Sequence, residues 1–252
     1  MQLWRAKARA FSIHLSISVL VAALAAALVF WLWFPPPFRA LSGGRDLFLL
    51  VAGVDVVIGP LVTLVVFNPR KSRREKWLDF SVIGVLQLAA LGYGLHTIYG
   101  SRPVHAVFEY NRFRVVHAGD IPPQFLARTP VGIKALPLSG PTWLSLRPLV
   151  GSEVADYTMQ AMGGVEVAAH PELWQPYDAG RAAIVAAARP ASQLLARFPQ
   201  QADAIRQGVA QSGRAIDALR FLPIQGRKGV VWTVLLDATT AQPLAFVPLD
   251  SF

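Results

Sequence analysis

Asp55 stands near the middle of an apolar run, residues 47–67, that is long enough to cross a bilayer. A carboxylate there is costly in hydrocarbon, so it faces other helices or a wet cavity and marks a functional surface. It can hydrogen-bond a partner helix, handle a proton or ion, or share a proton with a second carboxylate. At helical spacing Ala52, Asp55, Gly59 and Thr63 form one stripe of small, acidic, small and hydroxyl residues, a face suited to close helix contact. Pro60 lacks an amide hydrogen and its ring clashes with the Val56 carbonyl, which predicts a bend and a freed carbonyl beside the aspartate.

Proton sharing fails for want of a partner. Asp79 belongs at the cytoplasmic edge of the next apolar segment, well away from Asp55 in depth. No Gly-x-Ser-x-Gly elbow, phosphate loop or zinc-protease pattern occurs, so binding rather than catalysis is expected, without a cofactor or metal. Gln87 matches Asp55 in depth: at 1.5 Å per residue the two lie roughly 15 and 18 Å from the cytoplasmic ends of their segments. With Ser81 and Gly84 it forms a second small and polar stripe. An Asp55–Gln87 hydrogen bond that glues a helical hairpin and a surface turned to a partner are equally good readings.

His14, His96 and His170 stand isolated and are expected at interfaces or surfaces. A hairpin centred on Asn111 and Arg112 sends His105 and His117 to opposite faces, where they cannot share a metal, whereas a one-residue shift of register would set them opposite each other. Trp174, followed by Gln175, Pro176 and Tyr177, is a candidate recognition loop, against the alternative that its indole fills a core.

These residues need elements to carry them. In 252 residues, 54% are hydrophobic and mean hydropathy is +0.42, with the apolar excess in the first hundred, so a membrane protein with a soluble part is expected. Three transmembrane helices are predicted over residues 11–34, 47–67 and 77–100, making a membrane domain over 1–100. The first continues too far past its small residues to be a cleaved signal, and ends on Trp31, Trp33 and Phe34 before three prolines. The loop 68–76 holds five cations and one anion. With Arg5, Lys7 and Arg9 it sets the N-terminus in the cytoplasm and residues after 101 outside, the periplasm of a two-membrane bacterium. The net charge of +9 is read as orientation signal and not as a nucleic-acid footprint. With no cysteine there is neither a disulfide framework nor a thiolate site.

Beyond residue 101 the apolar period changes from helical to alternating. Strands are expected over 104–110, 113–118, 132–138, 219–224, 230–238 and 244–247, and helices over 152–162 and 178–188. Ser152 and Asp178 are candidate caps, Pro190 and Pro199 suit first helical turns, and Gly213 closes the helical stretch. The fold class is three transmembrane helices followed by an α+β periplasmic domain, 101–252, with an antiparallel sheet.

The succession Phe34-Pro35-Pro36-Pro37-Phe38, residues 53–61 (GVDVVIGPL), the basic loop, Asp79, residues 86–94 (LQLAALGYG), Arg102-Pro103-Val104 and residues 108–113 (FEYNRF) resembles the TfpX/TfpZ family of type IV pilin accessory proteins. The resemblance is specific to about Ile121 and looser beyond. It implies an inner-membrane protein that stabilises a cognate major pilin or promotes its assembly into pili, with no known catalytic residues. Other pilus-assembly proteins and the lipid bilayer are further expected partners. Partner-binding candidates are Ala52, Asp55, Gly59, Pro60, Thr63, Gly84, Gln87 and Trp174. The competing function is a small transport or sensory component in which Asp55 handles a proton or ion and the outer domain senses a ligand.

Overall fold

The computed structural model describes residues 2–252. They divide into two compact units, one of residues 2–35 with Gly43–Ser101, the other of Pro36–Ser42 with Arg102–Phe252. Each is taken by itself below.

The first unit carries three helices long and apolar enough to cross a membrane, Trp4–Trp33, Gly44–Val66 and Arg73–Gly100, called the first, second and third spans. They start earlier than the apolar pattern predicts, because the backbone ladder continues through charged flanking turns. The third span begins on a capping box: Glu75 N donates to Ser72 Oγ at 3.3 Å, and Ser72 N donates to Glu75 Oε2 at 2.7 Å. Apolar side chains such as Leu24, Val65 and Val85 point outward, as lipid-facing residues do. Ala25, Val29, Phe34, Phe48 and Ile98 pack between the helices. Phe34 is therefore buried rather than part of an outward aromatic band, and a Cβ on Gly44 would overlap its ring.

The second unit is α+β, built on an eight-stranded sheet. Its strands are β1 Pro103–Glu109, β2 Arg112–His117, β3 Thr142–Leu146, β4 Trp174–Pro176, β5 Arg189–Pro190, β6 Leu219–Gln225, β7 Val231–Asp237 and β8 Pro243–Val247. The order is β4-β3-β1-β2-β6-β7-β8, with β5 beside β6. Pairing is mostly antiparallel, and the β1–β3 and β2–β6 contacts are parallel. Alternation along β7 buries both faces: Val234 and Leu236 join one core, Leu235 the other. Helices Glu153–Met162, Arg181–Ala187, Ser192–Arg197 and Ala202–Ser212 complete the unit, and Gly213 ends the last with φ +65°.

Several expectations are corrected. The turn between β1 and β2 is Tyr110-Asn111, because oppositely charged Glu109 and Arg112 pair across the strands. No strand forms over 132–138, where the Ala135 and Pro137 carbonyls instead accept hydrogen bonds from buried His105 Nε2 (3.0 Å) and Arg102 Nε (3.4 Å). The strand lies further on, at β3. Ser152 precedes its helix without a side-chain cap, and Val150 N donates to Glu153 Oε2 at 3.0 Å in that turn. Asp178 sits within a 3-10 turn, Tyr177–Gly180, ahead of the helix it was expected to cap. Pro190 lies in β5.

The connection between the first two spans belongs to this second unit. Phe38 and Leu41 are buried with Phe108, Phe113, Leu222 and Val234, and Phe38 meets Phe246 edge to face at 5.9 Å between ring centroids. Gly226 makes this possible, since a Cβ there would overlap the Leu41 carbonyl oxygen. Burying each of the two side chains contributes about 1.5–3 kcal/mol.

Candidate functional site

The second span changes its winding at the aspartate. It runs α-helical over Gly44–Gly53, turns π-helical over Val54–Ile58 and resumes as an α-helix over Gly59–Val66. In an i→i+5 ladder the partner of the Asp55 carbonyl is the nitrogen of Pro60, which has no hydrogen. Gln87 Nε2 donates to that carbonyl instead, at 3.2 Å. The expected contact between Asp55 and Gln87 therefore exists, but on the backbone of Asp55 and not on its carboxylate. Gly59 lets the third span approach, because a Cβ there would overlap Gln87 Nε2.

His14 of the first span completes the network. Its Nε2 lies 2.6 Å from Gln87 Oε1 and its Nδ1 2.5 Å from Thr63 Oγ1. With Gln87 Nε2 spent on the Asp55 carbonyl, Oε1 is the acceptor, so His14 Nε2 donates to it and the Thr63 hydroxyl donates to Nδ1. A single chain of hydrogen bonds, Thr63 to His14 to Gln87 to Asp55, thus ties three helices together. Sequence reasoning set His14 aside as isolated. The signal was present, because an imidazole inside an apolar span obeys the rule that singled out Asp55.

The Asp55 carboxylate takes no part in that chain. The residue is 7% exposed, and its side chain has no hydrogen bond or ion pair among the described residues. It lines a groove of about 670 Å³ between the first and third spans, walled by Ala10, Ile17, Val21, Leu88 and Leu91. Gly84 lines the same groove with open space where a Cβ would stand, and Arg9 lies in its lining too. The groove is apolar except for a few groups, chiefly Asp55, His14, Gln87 and Ser18.

Of the residues singled out by sequence, Asp55, Gly59, Pro60, Thr63, Gly84 and Gln87 come together here. Ala52 does not: it packs against the Val29, Phe34 and Phe48 cluster. Trp174 is a correction, being 3% exposed, with Nε1 donating to the Ala168 carbonyl at 2.8 Å and its ring 4.4 Å from that of His105. Its indole fills a core and offers no recognition surface. His105 and His117 serve separate networks, His105 with Thr142 and Ala135 and His117 with Asp120. Burial pushes the His105 imidazole down to about 4, and its neutral form is satisfied on both nitrogens.

A fimbrial assembly protein of Dichelobacter nodosus, serogroup I, is 34% identical over 248 residues, 97% of this chain and 96% of that protein. The chain belongs to the fimbrial assembly protein family. The serogroup E1 protein of the same organism is 32% identical over the same shares, and that of serogroups C1 and C2 is 44% identical over 114 residues, 45% of this chain and 87% of that one. The model of the fimbrial assembly protein FimB matches residues 2–43, the family segment that contains His14. These matches agree with the type IV pilin accessory family that the motifs resemble. No solved structure matches the chain.

Proposed function

We propose that this fimbrial assembly protein is an inner-membrane accessory that binds the apolar helix of its cognate major pilin in the groove beside Asp55. The observation that carries the proposal is a groove between membrane-crossing helices, wide enough for apolar side chains, holding a carboxylate with no hydrogen bond or ion pair among the described residues. The role is binding and handover during pilus assembly rather than catalysis, and further pilus-assembly proteins meet the same complex.

Orientation belongs to the same proposal. Pro36–Ser42 and Arg102–Phe252 share one folded unit, so both lie on one side of the membrane, as three crossings require. The cations at 70–76 and near the N-terminus favour the other side as cytoplasmic. The α+β unit is then periplasmic, placed to meet the head of a pilin.

Gly84→Leu tests the groove, because a Cβ there meets open space and Gly84 is itself no member of the hydrogen-bond chain. The variant is expected to accumulate normally while pilin co-purification and surface pili fall. Asp55→Leu is expected to weaken pilin association more than Asp55→Asn, which keeps a polar group of the same shape. Equal damage from both favours a proton- or ion-handling carboxylate, since neither variant titrates. Unchanged co-purification and piliation in Gly84→Leu and Asp55→Leu, at normal protein levels, would falsify the proposal.

A further inference from the structure

The third span, Arg73–Gly100, presents a face outside the polar chain at its first turns. Arg73, Lys76, Trp77, Phe80 and Ser81 recur at helical spacing and line one open cavity of about 480 Å³. Phe80 alone of the five also lines the groove beside Asp55. The helix has 28 residues and is about 42 Å long, which matches a bilayer with both of its headgroup layers and sets Arg73 among the headgroups. From Arg73 to Ser81 it rises about 12 Å, so the cavity runs from the headgroup layer into hydrocarbon.

The cations at the mouth of this cavity are not neutralised by the acids beside them. Residues 70–79 hold Arg70, Lys71, Arg73, Arg74 and Lys76 against Glu75 and Asp79. Glu75 accepts from Ser72 N in the capping box, and Asp79 pairs with Lys71 at 2.6 Å. Arg73 is exposed and has no hydrogen bond or ion pair among the described residues. Lys76 spends one of its three N–H groups on the Pro69 carbonyl, at 2.8 Å. A guanidinium and an ammonium therefore flank the cavity with donors left for an oxygen anion.

One turn deeper the chemistry changes. Trp77 is 77% exposed, and its indole N–H has no acceptor among the described residues. Indoles at the edge of a bilayer lie at the headgroup level, where the ester carbonyls of a lipid accept. Phe80, 41% exposed, follows with apolar surface at the depth of an acyl chain. An acidic peptide answers the cations alone. A phosphate carried on acyl chains answers the cations, the indole and the phenyl ring in the order in which the helix presents them. A headgroup that brings its own ammonium leaves one of the two cations unanswered, so a lipid of net negative charge fits best.

We infer that this face binds one anionic phospholipid, with its phosphate against Arg73 and Lys76 and an acyl chain along Trp77 and Phe80. The inference rests on the spans crossing a bilayer and holds whatever fills the groove beside Asp55. Each basic residue near a membrane surface is worth about a fivefold preference for an anionic headgroup.

The test is quenching of Trp77 fluorescence in the full chain, in phosphatidylcholine nanodiscs that contain increasing brominated phosphatidylglycerol or brominated phosphatidylcholine. The signal lost in Trp77→Phe separates this indole from the others. Half-quenching is expected at a mole fraction of phosphatidylglycerol at least about tenfold lower than that of phosphatidylcholine. Arg73→Gln is expected to narrow this difference about fivefold. Arg74→Gln removes the same charge from the same turn outside the cavity, and is expected to narrow it less than about twofold. Inorganic phosphate at constant ionic strength is expected to leave the preference intact, because it brings no acyl chain. Equal half-quenching by the two lipids in wild type overturns the inference. Equal narrowing by Arg73→Gln and Arg74→Gln overturns it in favour of diffuse surface charge, and loss of the preference in phosphate overturns it in favour of a free-anion site.

Discussion

His14 Nε2 on the first span donates to Gln87 Oε1 on the third at 2.6 Å, 73 residues away in sequence. Gln87 thereby reads both neighbouring helices, the first through its carbonyl and the second through its amide on the Asp55 carbonyl. Hydrogen bonds between membrane helices average about 0.6 kcal/mol and seldom exceed roughly 2. In a thermal double-mutant cycle in detergent, His14→Phe and Gln87→Leu are therefore expected to be non-additive by an amount in that range. Additive losses would show that the contact carries no coupling.

Gly59→Ala is expected to act through the same residue. Its new Cβ overlaps Gln87 Nε2, so the third span must shift or the amide must leave the Asp55 carbonyl, at a cost of about 1–3 kcal/mol. Gln87→Ala in the same chain makes room and is expected to recover part of the lost melting temperature. A Gly59→Ala protein as stable as wild type would contradict the close approach.

Phe38→Ala and Leu41→Ala are each expected to destabilise the α+β unit by about 2–5 kcal/mol, although both lie in the short connection between two spans. Hydrogen exchange of β6 and β7 in the full chain reports this directly. Leu24→Ala, on a lipid-exposed position, is expected to leave the same exchange rates unchanged.

Stability should also depend on pH through His105. Its folded value is depressed to about 4 from the ordinary 6.5, so the unfolded chain binds the proton more readily. The contribution, roughly 3 kcal/mol, is complete above pH 6.5 and is lost as pH falls toward 4. His117 and His170, also depressed by burial, act in the same direction. Unfolding midpoints measured from pH 8 to pH 4 are expected to fall, and less steeply in His105→Gln. An identical pH profile in the variant would remove His105 as the cause.

The sequence alone determined the spans, because hydropathy over twenty residues is a local property that no tertiary contact rewrites. It likewise singled out Asp55, Gly59, Pro60 and Gln87, which the structure brings together, since polar groups and helix breakers in hydrocarbon are costly wherever they sit. The alternating apolar pattern fixed β6, β7 and β8 to within two residues. Tertiary structure decided the partners. Gln87 bonds the backbone of Asp55 because a π-turn and Pro60 together strip that carbonyl of its donor, a consequence of winding that spacing does not encode. His14 joined the network because the first span packs on the second, and a pattern read within one helix is blind to that. The segment 132–138 reads as a strand, yet its carbonyls are taken by Arg102 and His105, whose burial demands acceptors more than the sheet demands another edge. Trp174 and the connection holding Phe38 and Leu41 went to the core for the same reason: long-range packing, and not local propensity, chooses which apolar residues are covered.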